Sequence, residues 1–327
     1  MTKIFDFKEL LQIVQSSIYE LEIGSEPVEL YDPIKYSLDA GGKRIRPVLV
    51  LAACNLFTDD VKVAIPPALA VEIFHNFTLL HDDIMDKADL RRNRPTVHKK
   101  WNENIAILSG DAMVIKAYQQ IIKSPKENLV PIVELFNQTA IEVCEGQQYD
   151  MNFEQRNEVT ENEYLEMIRL KTSVLVAASL KIGALAAGTN ATEAQKLYQF
   201  GLNLGLAFQL QDDYLDVYGD PLKFGKKIGG DIMANKKTYM LIKAKELADK
   251  EDLSTINNLL NENNNNPEHK IKSMIAIFDK LNIKQLVKSK MESYYHLAMQ
   301  ALIAVEVEQT KKLQLIDFAD KLMERES

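Results

Sequence analysis

Two runs in the chain, Asp82-Asp83-Ile84-Met85-Asp86 and Asp212-Asp213-Tyr214-Leu215-Asp216, share the spacing DDxxD. With 21 aspartates in 327 residues, about 0.1 such runs are expected by chance, so two of them carry information. Each follows an apolar stretch with helical spacing. On a helix Asp82 and Asp86, like Asp212 and Asp216, lie one turn apart on one face and can converge on a single cation. Crowded carboxylates raise one another's pKa, so the pattern requires nearby positive charge. The ligands are all oxygen. His75 and His81 are six residues apart and face different ways, which suits Mg²⁺ rather than Zn²⁺, and Mg²⁺ commonly shares its shell with a phosphate. Three such ions would neutralise six carboxylates.

Basic residues supply the complementary half. Gly41-Gly42-Lys43-Arg44-Ile45-Arg46-Pro47 precedes the first run and Arg91-Arg92 follow it, while Lys171-Thr172, Lys226 and Lys236 flank the second. Arginine captures phosphate with two parallel hydrogen bonds and lysine acts as a point charge. Arg44, Lys99 and Lys100 are read as solvated surface charges.

Helices must position these groups. Stripes with i, i+3/i+4 spacing cover 45–57, 66–86, 104–122, 128–147, 160–187, 192–218, 232–249, 271–281, 284–304 and 310–324. Only 13 Gly and 10 Pro punctuate them, too few for a many-turned β architecture. The expectation is an all-α chain forming a single domain over 1–327. Pro33 is expected to break helix, 257–267 to form an Asn-rich surface loop, and Gly183, Gly188, Gly201 and Gly205 to allow close helix packing. The net charge of −8 disfavours nucleic acid as a partner. Cys54 and Cys144 are too few for a disulfide framework and read as buried small hydrophobes. No uninterrupted apolar run reaches membrane-spanning length and no secretory leader is evident, so a cytoplasmic location is expected.

Taken in order, GGKRIRP (41–47), HNFTLLHDDIMDKADLRR (75–92), GD (110–111), KTS (171–173), FQLQDDYLD (208–216) and GKKIGGDIMANKKT (225–238) resemble the head-to-tail (E)-isoprenyl diphosphate synthases, or polyprenyl synthases, over about residues 30–245. That resemblance implies an isoprenoid-synthase-type helical bundle around a deep central cavity, usually a homodimer. Its reaction is the Mg²⁺-dependent condensation of isopentenyl diphosphate with an allylic diphosphate (dimethylallyl, geranyl or farnesyl). It assigns Asp82, Asp83 and Asp86 to two Mg²⁺, and Asp212, Asp213 and Asp216 to a third. Arg91, Lys171, Thr172, Gln209, Lys226 and Lys236 match the allylic diphosphate site, with Lys171 also shielding the cation, and Gly42, Lys43, Arg46, His75 and Arg92 match the isopentenyl diphosphate pocket. Asn93 departs from the glycine many members carry.

Phe77 and Phe74 lie one to two turns before Asp82, where a ring could floor the product cavity. An aromatic at the fifth position before the motif resembles synthases of the geranylgeranyl type, with farnesyl or longer-chain synthesis as the alternative. A noncatalytic subunit of a two-component synthase would be expected to lack one aspartate motif, and both are whole here.

Overall fold

The computed structural model describes residues 3–220, 228–261 and 266–324. These form α1 (Phe7–Tyr19), α2 (Val28–Asp39), α3 (Ile45–Asn55), α4 (Ile65–Met85), α5 (Val97–Lys100), α6 (Glu103–Ile121), α7 (Leu129–Glu154), α8 (Glu161–Ile168), α9 (Val174–Ala186) and α10 (Ala191–Tyr218). Beyond them lie α11 (Gly230–Met233), α12 (Tyr239–Leu247), α13 (Lys250–Asn261), α14 (Pro267–Lys280), α15 (Ile283–Ile303) and α16 (Gln309–Met323). The chain is all-α as expected, and most predicted stripes fall on helices to within a few residues.

Two departures have clear physical causes. Pro33 sits inside α2 instead of breaking it; the helix forgoes one backbone hydrogen bond there, and burial of Pro33, Ile34 and Leu38 compensates. The segment expected to be a loop from 257 is helical through Asn261. Asp249 accepts hydrogen bonds from the Glu251 and Asp252 amides at the start of α13, and Ile256 and Leu259, three apart, bury its inner face.

A hairpin of two-residue strands, β1 (Leu90–Arg91) and β2 (Arg94–Pro95), pairs Leu90 with Pro95 and Arg91 with Arg94. Its turn residues Arg92 and Asn93 have φ of 53° and 59°, the sign that a two-residue I′ turn demands at both positions. Asparagine tolerates that region best after glycine, so Asn93 preserves the turn.

By contacts the chain divides into two units. One comprises Met1–Gln138, Ala178–Tyr198 and Val305–Gln314; the other comprises Thr139–Ala177, Gln199–Ala304 and Leu315–Ser327. In the first, α4 packs along α6 and α3. Pro66 and Pro67 start α4, where their missing N–H groups are not needed, and Lys87 at φ 52° follows its end. Val61–Met85 is long and apolar enough to cross a membrane, but 61% of its most apolar window is buried inside the protein, which makes it the core helix of this unit. A Cβ on Gly183 would stand 2.0 Å from the Val50 carbonyl oxygen, so α9 lies hard against α3. Gly188 does not serve packing as expected: open space surrounds it, and its φ of 80° lets the chain turn after α9.

In the second unit Phe153, Tyr164, Leu210, Tyr214, Met240 and Phe278 belong to a continuous apolar core. A Cβ on Gly205 would stand 2.7 Å from Ser173 Cα, confirming the expected close approach. Cys54 is buried, whereas Cys144 is exposed on α7, because Val143 takes the inward position beside it.

Candidate active site

The first aspartate run occupies the carbonyl end of α4, with Asp86 as the C-cap. That end carries the negative pole of the helix dipole, and its last turn has no basic residue. Relief comes from the hairpin. Arg91 Nε and Nη2 donate to Asp83 Oδ1 at 2.8 and 2.6 Å, and Nη2 reaches Asp82 Oδ2 at 3.3 Å. Burial raises the pKa of Asp83, and the hydrogen bond from Arg91 opposes the rise. One turn or more toward the helix start, the Phe77 ring lies 5.5 Å from Phe74 and 4.6 Å from the His81 ring. Phe74 is a core ring that also packs on Phe136, while Phe77 is half-buried. His81 fits because Gly110 lacks a side chain: a Cβ there would lie 2.2 Å from His81 Nε2.

Gly42, Lys43, Arg46, His75 and Arg92, scattered over fifty residues, line one cavity of about 490 Å³. Arg46 Nη1 lies 3.1 Å from His75 Nε2. Because arginine only donates, Nε2 accepts, so the ring is neutral with its proton on Nδ1. Burial, reinforced by Arg46, Arg92, Arg91 and Arg44, holds the His75 pKa well below 6.5. Burial also draws Arg46 down to about 10, against Glu72 and with Arg92. Arg46 Nε donates to nothing among the described residues, which leaves a donor for an anionic ligand. Gly42, at φ 120°, admits the Arg92 guanidinium to within 2.6 Å of where a Cβ would stand, and Arg92 donates to the Gly41 carbonyl.

Arg44 corrects the surface-charge expectation. It is buried, and its Nη1 donates to Glu72 Oε1 at 2.5 Å. Its neighbours in that expectation stay on the surface: Lys99 and Lys100 are both exposed, Lys99 pairing with Asp89 at 2.9 Å and Lys100 Nζ sitting 3.9 Å from the Tyr36 ring centroid.

In the second unit Lys171, Thr172, Gln209, Asp212, Asp213, Asp216 and Lys236 line a cavity of about 220 Å³. Lys226 lies outside the described residues. Lys171 and Thr172 fall in a π turn, Arg169–Ser173, a local widening of the helix often found at functional sites. Gly146 of α7 makes room for it, since a Cβ would stand 2.3 Å from Lys171 N. Thr172 Oγ1 donates to Gln209 Oε1 at 3.1 Å, and Gln209 Nε2 donates to Asp213 Oδ1 at 3.1 Å. Tyr164 donates to the other Asp213 oxygen. Burial, with Asp231 adding, pushes Asp213 up to about 8 against those hydrogen bonds. Asp216 Oδ2 accepts from the Asp231 amide at 2.9 Å.

Several lining residues were not singled out from sequence. Asp150 accepts from Lys171 Nζ at 2.6 Å; it falls three residues beyond the 128–147 stripe, and α7 continues to Glu154. Asp231 pairs with Lys236 at 3.6 Å and follows Gly229-Gly230, a close-approach signal. Tyr164 and Glu72 carry no distinguishing spacing.

Paired carboxylate-rich helix ends ringed by arginine and lysine in an all-α chain define an isoprenoid-synthase type of protein. The sequence profile described as Polyprenyl synthetase matches residues 27–278, and the chain belongs to that family; it is a prenyltransferase acting on isopentenyl and allylic diphosphates. It is 43% identical over 255 residues to a geranylgeranyl diphosphate synthase of Methanosarcina mazei, covering 77% of this chain and 79% of the relative. It is 36% identical over 300 residues to that of Sulfolobus acidocaldarius, covering 90% of each. Among solved structures, a geranylgeranyl pyrophosphate synthase superposes with a TM-score of 0.94 at 43% identity, covering 99% of this chain and 100% of that one.

The depressed pKa of His75 has a stability consequence. Below pH 6.5 an unfolded imidazole takes up a proton that the folded one refuses, so its contribution is complete above that pH and is lost as pH falls through the folded value. Urea midpoints measured from pH 7.5 to 5.5 should fall in the native protein and fall less steeply in His75→Gln. Equal slopes would contradict the neutral assignment.

Proposed function

We propose that this prenyltransferase makes geranylgeranyl diphosphate with Mg²⁺, by adding isopentenyl diphosphate to allylic primers. The carrying observation is the joining of Arg46, His75, Arg92, Gly42 and Lys43 around one cationic cavity, in a chain that also carries phosphate-capable groups at each aspartate run. The donor set suits Mg²⁺: it is all oxygen. Among the described residues no group of three His, Cys, Asp or Glu is placed to hold a metal, so such an ion would need part of its shell from water and phosphate. Asp82, Asp83, Asp86, Asp212, Asp213 and Asp216 would hold it, and when bound it stabilises the charge on a departing diphosphate.

The residues of the chain then divide the work. Arg91, Lys171 and Lys236 bind the allylic diphosphate, with Thr172 and Gln209 orienting it. Arg46, Lys43 and Arg92 bind isopentenyl diphosphate. Once the allylic C–O bond breaks, the isopentenyl double bond attacks the resulting cation. The new tertiary cation loses a proton to the released diphosphate, which regenerates a double bond. Phe77 sets the floor against which the growing chain stops.

The chain should extend an allylic primer with labelled isopentenyl diphosphate, to twenty carbons by chromatography, and chelation should stop it. Asp82→Ala should lower turnover at least about 100-fold with the fold intact by circular dichroism; near-normal turnover would refute its role. Phe77→Ala should give longer products, and an unchanged distribution would remove the floor.

A homodimer is also proposed. Leu108, Ile115 and Ile122, seven residues apart on α6 and its cap, are each more than half exposed, as is Val130 on α7, an apolar stripe suited to a second copy of the chain. Leu108→Glu with Ile115→Glu should halve the mass seen by sedimentation equilibrium.

A further inference from the structure

Glu72 is an anion in the wall of a cavity built to bind anions. It is 2% exposed, its Oε1 accepts from Arg44 Nη1 at 2.5 Å and from Asn76 Nδ2 at 2.9 Å, and Arg44 Nη2 donates also to the Leu38 carbonyl. Arg44 is the N-cap of α3 with φ 47°, a left-handed conformation that a non-glycine residue adopts only when something holds it. Two residues on, Arg46 meets His75 of the same helix that carries Glu72. Glu72, His75 and Asn76 are spaced i, i+3, i+4 and share one side of α4, so the helix grips the loop at alternate arginines.

We propose that Glu72 and Arg44 form a positioning lock that fixes the 41–46 loop, and with it Lys43 and Arg46, in the geometry that binds isopentenyl diphosphate. This rests on the functional reading above. Neither residue is assigned to the diphosphate: Glu72 would repel it, and Arg44 directs Nη1 to Glu72 and Nη2 to Leu38. The lock compensates the charge of Arg44 inside the protein. Loosening it should therefore weaken one substrate selectively.

The test uses Glu72→Gln, which keeps the shape and removes the charge, and Arg44→Lys, which keeps the charge but cannot reach both acceptors. KM for isopentenyl diphosphate should rise about tenfold in each, with KM for the allylic diphosphate within about twofold. An equal rise in both KM values, or a lower melting temperature with both KM values unchanged, overturns the lock. Inorganic pyrophosphate titrated calorimetrically without divalent cation reads the cationic cavity independently of turnover. Should the native protein extend no primer, the functional reading fails, and this arm still decides the lock. A tenfold loss of pyrophosphate affinity in Glu72→Gln supports it; equal affinity, or no binding by the native protein, overturns it.

Discussion

Three carboxylates crowd the carbonyl end of each of two long helices, α4 and α10, and the surrounding structure answers that conflict. Helix C-termini already concentrate unpaired carbonyls and negative potential, and neither helix has a basic residue in its last turn. The two units relieve the repulsion differently. Arg91 reaches back from a hairpin to bridge Asp82 and Asp83. In the other unit, burial pushes Asp213 up to about 8, and Tyr164 and Gln209 each donate a hydrogen bond to one of its oxygens. Each device stabilises the helix end of its own unit.

Bringing charged side chains this close requires bare backbone at the approach points. Gly146 lets α7 touch the π turn that carries Lys171, and Gly205 lets α10 touch the same turn at Ser173. Any side chain at either position would displace the segment that aims Lys171 at Asp150. The same logic operates in the first unit, where Gly42 leaves room for Arg92 and Gly110 for His81. Glycines that look like generic packing in a helical stripe are thus the means by which cationic residues reach their places.

Helical periodicity made nearly every long element legible, because burial on one face repeats every 3.6 residues regardless of what the helix does. The aspartate runs were legible for a different reason: their spacing has no purely structural advantage. Less visible were residues whose role depends on a partner distant in sequence. Arg44 looks like its neighbours Lys43 and Arg46, and only the placement of Glu72 on α4 reveals that it points inward. Asp150 was hidden by an underestimated helix end. Pro33 misled because a local preference of about 3 kcal/mol can be outweighed by burial of an apolar turn.

The arrangement around α4 explains how one helix can serve several tasks without interference. At about 100° per residue, His75 and Asp82, seven apart, lie on nearly the same face, with Thr78 beside them. Phe74, Phe77 and His81 fall to one flank, joined by their ring contacts. Glu72 and Asn76 fall to the other, joined to Arg44. His75, Thr78 and Asp82, the ring stripe and the contacts to Arg44 are therefore separated by rotation about a single helix axis. A ring on one flank can change size without touching the contacts that Glu72 and Asn76 make on the other.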